Sequence, residues 1–390
     1  MLLSTMKVGS CKASILDGGG YYSMILNIMI IIVVAIIIII FLYLLIINFY
    51  QKKYYDQAYR PRAIKFGRIP RYPEKCIIEG IVGLSSEKQY QEAAALKMIN
   101  DRIYPKEDIS IENINFLMGY TYGVTFNTIK KDFIPFREPI EGLRIAAPFI
   151  GLHMDYFTTY SPNAFISTMK EYISQGYLVL VQIDMATLLG TKGFYSNSEL
   201  LVGYNRAGFY YYETMGKDNR ERKYISKQKL IDATNKLNAK FRKPWRYGFC
   251  IFTTREKKKN INKILKRNGN SLIGEKVKSV FSGVQAIAEF GKYIEETKSF
   301  NNEWVLQTLA YTREDNAKFL ENFFKNNDEI IKASKLFKMA SENYEKALKI
   351  IKNNSNDEGI KNLRELLIEN CKLEEQIGNI FKKVSDCNTN

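Results

Sequence analysis

The chain has 390 residues, a net charge of +16 and one histidine, His153. Hydrophobic residues make up 46% and charged residues 25%, which excludes a disordered chain and leaves room for two domains plus a membrane segment. Five scattered cysteines (Cys11, Cys76, Cys250, Cys371 and Cys387) without a CxxC pair argue against a disulfide framework or a zinc site, and any Cys–His or Ser–His mechanism has one place to find its base. No cofactor-binding or metal-binding pattern is read. The basic excess predicts attraction to acidic partners. The bases are spread along helices and linkers, so no specific nucleic-acid contact is expected.

No charged side chain occurs from Gly18 to Gln51. The core of this run, residues 24–50, exceeds the roughly 20 residues needed to cross about 30 Å of hydrocarbon, and predicts one transmembrane helix. Tyr21, Tyr22, Tyr43 and Tyr50 lie toward its ends, where amphipathic rings favour the interface. A cleaved signal peptide is the competing reading; its apolar region would be far shorter. Before the run stand Lys7 and Lys12, and soon after it Lys52, Lys53, Arg60, Arg62, Lys65 and Arg68. The positive-inside rule predicts a single-pass protein with residues 1–23 outside and the large C-terminal part in the cytoplasm. The basic flank is also expected to meet anionic lipid.

Residues 51–72 read as a basic linker. Residues 73–254 mix short apolar runs with turn signals. Tyr177–Asp184 reads as a buried strand after a helix that stops at Gln175–Gly176. Glu199–Tyr204 and Gly208–Glu213 read as paired strands around Asn205–Arg206–Ala207, and Tyr247–Thr253 as a further strand. From residue 255 to 390 four helices are expected. Val277, Phe281, Val284, Ile287 and Ile294 form the first apolar stripe, and Trp304 to Phe324 the second helix. Ile330 to Ile351 and Leu363 to Ile380 carry two more stripes at helical spacing. The stripes predict a helical-bundle core.

Cys76 is open to two readings. The apolar residues after it could be the first turns of a buried helix, which would lower the thiol pKa and make Cys76 a nucleophile. The competing and commoner reading is a buried structural cysteine.

The order of these segments resembles the butirosin biosynthesis protein H family. Cys76 opens the domain where that family has its cysteine. Ile111–Phe126 resembles the family's segment with a glycine-bearing aromatic turn, Tyr177–Leu188 its strand ending in Asp, and Glu199–Tyr204 the strand after its catalytic histidine. Tyr311–Phe324 and Ala333–Ile350 are similar to its helical tail. The resemblance implies an α+β papain-like domain over residues 73–254 and an all-α bundle over 255–390. It also implies acyl or peptidyl transfer, or thioester or amide hydrolysis, through a cysteine, with an acidic carrier protein or peptide as partner.

The chain departs from that pattern at the base. Counting back from Gly203 to the histidine position reaches Asn197, which cannot accept and return a proton as imidazole does. His153 could replace it only if the fold brings it to Cys76. Glu199 is a weak substitute base. Asp184 is either a structural strand-end residue or the family's pocket residue. A degenerate binding or scaffold protein at the membrane is therefore the alternative to an enzyme.

Overall fold

The computed structural model describes residues 18–65, 71–136, 138–217, 220–258, 260–298, 303–353 and 356–387. Most of the expected extracytoplasmic segment, with Lys7, Cys11 and Lys12, lies outside the described residues, as does Arg68. Two compact units divide between Tyr54 and Tyr55.

The first unit is built on helix α1, Gly18–Tyr59, whose last turn from Tyr55 counts with the second unit. Its most apolar window has a mean hydropathy of 3.8 and is not buried, so it is long and apolar enough to cross a membrane. Length and composition leave both an anchor and a signal sequence open.

The second unit begins with short strands β1 (Arg62–Ala63) and β2 (Cys76–Ile77). Helices α2 (Gln91–Ile103) and α3 (Ile111–Met118) follow, then strands β3 (Thr125–Asn127) and β4 (Asp132–Ile134) and helix α4 (Pro139–Ala146). Next come β5 (Leu152–Thr159), α5 (Pro162–Ser174), β6 (Val179–Asp184), α6 (Met185–Leu189), β7 (Ser196–Tyr204) and β8 (Gly208–Glu213). Strand β9 (Arg222–Ser226), helix α7 (Lys227–Lys240) and strand β10 (Tyr247–Thr254) complete the first half. The main sheet has the order β1-β5-β10-β6-β7-β8-β9, with β2 paired to β7. Only β1–β5 is parallel among these ladders.

Local chemistry explains the boundaries. Ser161 caps α5 by accepting the Ala164 amide at 3.2 Å, Pro162 takes the first helical position, and Gly176 at φ 88° turns the chain toward β6. Every residue of β6 is buried, because helices cover both faces of the sheet centre. Antiparallel register sets Gln182 opposite Ser198 and Ile183 opposite Asn197. The two pairs therefore point to opposite faces. Helix α2 meets the Ser198 face through Glu92, and α5 packs on the other through Phe165 against Tyr247 and Phe249.

A mixed α/β sheet domain, a helical C-terminal region and a long apolar N-terminal helix are present, which is the outline of the expected class. The expected strands over residues 177–184, 199–213 and 247–253 are present. Three local expectations are corrected. No helix follows Cys76: Cys76–Ile77 is a strand laid against β7, and the next helix starts at Gln91. Close approach explains this, since Gly203 has no Cβ, and one added there would stand 2.9 Å from the Cys76 carbonyl oxygen. The linker expected over 51–72 instead continues α1 to Tyr59 and supplies β1.

The C-terminal part is not purely helical. After α8 (Asn262–Ile273), Val277 and Phe281 lie in a hairpin, β11 (Lys276–Val277) and β12 (Val280–Ser282). Gly274 and Gly283, both at positive φ, bracket it, and a Cβ on either would strike backbone at about 2 Å. The hairpin joins β3 and β4 in a second sheet of order β11-β12-β3-β4. Helices α9 (Gly283–Thr297), α10 (Glu303–Phe323), α11 (Asp328–Lys352) and α12 (Asp357–Cys387) follow, so with α8 the region holds five described helices where four were expected, and the first expected stripe is helical only from Val284 onward.

The bundle is joined to the first half by stacking of Phe116 on Phe319 and by buried Arg313. Arg313 makes two 2.8 Å bonds to Glu374 and donates at 2.9 Å to the Thr121 carbonyl, while Tyr344 donates to Glu374.

Candidate functional site

The residues proposed for thiol chemistry do not converge. Cys76 pairs with Tyr204 at one end of β7, and Asn197 lies seven residues back, roughly 20 Å along the strand. Asp184 is at the Asn197 end, opposite Ser196. His153 stands on β5, whose neighbours are β1 and β10, and its Nε2 lies 3.2 Å from Asp155, which also pairs with Arg62. No hydrogen bond joins Cys76 to His153, Asn197 or Asp184 among the described residues.

Each of these side chains has local work. The half-buried Cys76 thiol faces the Ile173 carbonyl at 3.8 Å. Beside it, the Tyr204 phenol is pushed up to about 12, first by burial and then by Cys76, and donates to the Pro73 carbonyl at 3.0 Å. Lys170 lies over the rings of Tyr72, Tyr204 and Phe209 and donates to the Asn205 carbonyl at 2.8 Å, closing that end of β7. Asp184 caps α6: it accepts from the Thr187 amide and hydroxyl and the Tyr195 amide, and pairs with Lys236 at 2.7 Å. Burial works against its charge, but Lys236 and these bonds outweigh it and hold the carboxyl below its usual value.

Asn197 donates to Glu199 at 2.8 Å on the α5 face of the sheet. Glu199 sits directly opposite Glu213. Burial first, then Glu213, push its carboxyl well above the usual range. Asn197 Oδ1 and Glu199 Oε2 have no hydrogen-bond partner.

A second polar cluster on the α2 face was not foreseen. Glu92 accepts from Ser198 at 2.9 Å, leaving its Oε2 without a partner. Glu138 caps α4 by accepting the Ile140 and Glu141 amides and also accepts from Tyr59. Lys243, with a 2% exposed side chain, donates to Gln182 at 2.8 Å and lies 4.0 Å from Glu138. Burial pushes Glu92 up to about 7 and draws Lys243 down to about 8, and it also raises Glu138. Cys250 is buried, its thiol raised by burial and then by Glu138, so it is no thiolate. The sequence offered one signal for this cluster: Glu138–Pro139 is a helix-start pair. Among the described residues no group of three or more His, Cys, Asp or Glu side chains is placed to hold a metal ion.

The sheet domain and helical region define a mixed α/β protein. A solved structure described as a C39-like peptidase from Bacillus anthracis is similar over 47% of this chain and 100% of that chain, at 13% identity and a TM-score of 0.33. Similarity at that level assigns neither an activity nor a substrate. No family model and no curated protein matches the sequence.

Proposed function

We propose that this is a membrane-anchored protein with a papain-like sheet domain that binds an acidic carrier protein or peptide without thiol turnover. The observation that carries this reading is the separation of Cys76 from Asn197 and Asp184 by most of the length of β7. Acyl transfer through a thiol needs a base and its orienting group within hydrogen-bond reach of the sulfur. Here the base position holds Asn197, whose amide is committed to Glu199, and the lone histidine is committed to Asp155. The segment order shared with the butirosin biosynthesis protein H family supports the papain-like reading. The charge of +16 supports an acidic partner, and the basic residues after the apolar run support cytoplasmic placement of the large unit.

Site-resolved alkylation of the full-length protein in detergent tests this. Cys76 is expected to react no faster than exposed Cys387. A Cys76 rate about tenfold or more above Cys387 would restore the transferase that the family resemblance implies. In parallel, a holo acyl carrier protein should bind at low salt equally well to wild type and Cys76→Ala, and release with added salt. Binding that requires the Cys76 thiol would sink the non-catalytic reading.

A further inference from the structure

The loop between α6 and β7 and the end of α7 form one surface with an unusual composition. Leu189, Tyr195 and Phe241 are 60%, 61% and 44% exposed. Lys192, Lys240 and Arg242 are exposed beside them. Contacts show that the patch is continuous. The Phe194 and Phe241 rings meet edge to face at 5.7 Å, and Lys240 lies 5.7 Å over Phe194. Lys236 donates to the Gly193 carbonyl at 3.1 Å, fastening the loop to α7. Gly190 and Gly193, both at positive φ, set the loop's path. Along α7, Lys229, Lys236 and Lys240 recur on one side, and Asp232 is the helix's only acid.

The chain enters this unit at the same place. Tyr55, its first residue, donates its hydroxyl to the Phe241 carbonyl at 2.9 Å. The charge-free run ends at Gln51, so at most about 14 Å of extended chain separates Tyr55 from it. Tethering would keep this surface at high effective concentration against the headgroups. Exposed aromatic rings among cations match an anionic lipid interface, where rings enter the headgroup layer and lysines meet phosphate.

We propose that the α6–β7 loop and the C-terminal end of α7 form a docking face for an anionic lipid bilayer, with Tyr195, Leu189 and Phe241 entering the interface and Lys192, Lys240 and Arg242 meeting lipid phosphates. This rests on reading the apolar helix as a membrane anchor.

The test uses the full-length chain in nanodiscs of phosphatidylcholine alone, or of phosphatidylcholine mixed with phosphatidylglycerol. Co-elution with the disc reports the anchor, and hydrogen exchange at residues 188–195 and 239–243 reports docking. Those amides are expected to exchange more slowly in the anionic discs and to lose that protection in high salt. Lys192→Glu with Lys240→Glu should remove about fivefold of protection per lysine while leaving exchange of β6 unchanged. Co-elution with identical exchange in both lipids overturns the docking face and leaves the anchor standing. Protection that appears only with two chains per disc assigns the face to a second copy and also overturns it. A chain that does not co-elute overturns both readings.

Discussion

The bundle and the sheet bury charge in different ways. In the bundle, Arg313 and Glu374 form a two-bond pair, with Thr121 and Tyr344 satisfying what remains. On the sheet, Glu92, Glu138 and Lys243 share one buried region, but Lys243 is 4.0 Å from Glu138 and Glu92 has an oxygen with no partner. Complete pairing keeps charge in a dry interior, whereas incomplete pairing lets burial win and moves the groups toward neutrality. The first arrangement is a fastening. In the second, Glu92 and Lys243 hold their protons loosely near neutral pH.

The largest expected effect comes from breaking the complete pair. Arg313→Met should destabilise the protein by about 3–5 kcal/mol, because Glu374 is left buried without its cation. Adding Glu374→Leu should recover most of that loss in urea unfolding of the full chain in micelles. If the double variant is as unstable as the single, the pair is not what holds this region.

Glu92→Gln should act in the opposite direction. The Glu92 carboxyl is raised from 4.5 to about 7, so between those values the folded state binds more protons than the unfolded. Stability due to this group therefore falls as pH rises through that window and is lowest above it. The variant should gain up to roughly 3 kcal/mol above pH 7 and nothing near pH 4.5. Thermal melts across that range would show a parallel shift instead if Glu92 is normally ionised.

Lys243→Met should cost only about 1–2 kcal/mol at pH 7, well below Arg313→Met, because Glu138 can take up a proton when its neighbour is lost. Equal costs at the two sites would erase the distinction drawn between them. Smallest of all, Cys76→Ala should cost about 1 kcal/mol, the loss of one half-buried side chain. A much larger loss would mean that β2 depends on the thiol rather than on its pairing with Gly203.

Much of the central sheet was legible because local signals agreed there. Residues 177–181 form a continuous apolar run after a glycine stop, and Asn205 makes the turn between β7 and β8 by accepting the Ala207 and Gly208 amides. The helix expected after Cys76 is a strand because Ile77–Ile78 is too short an apolar stretch to separate the two. Val277, Phe281 and Val284 imitate a helical stripe by being four and three apart, while Gly274 and Gly283 impose the hairpin. Asn197 was found by counting from Gly203, yet counting along a strand cannot say which partner strand lies beside which end. The cluster of Glu92, Glu138 and Lys243 left only the Glu138–Pro139 helix start as a local sign, since three distant segments make it.

The small second sheet has a consequence for how the chain is made. Strand β3 pairs with β12, and Phe126 faces Phe281 across the ladder, about 150 residues downstream. A nascent chain leaving the ribosome can close the β6–β7–β8 hairpins as soon as they emerge, because those neighbours are close in sequence. The edge formed by β3 and β4 must wait until the hairpin after α8 has been synthesised, and Thr121 waits longer still for Arg313. During that interval Phe126 and Phe133, both buried in the finished protein, stand open to the wrong partners, and translation speed across residues 130–315 becomes a determinant of folding yield.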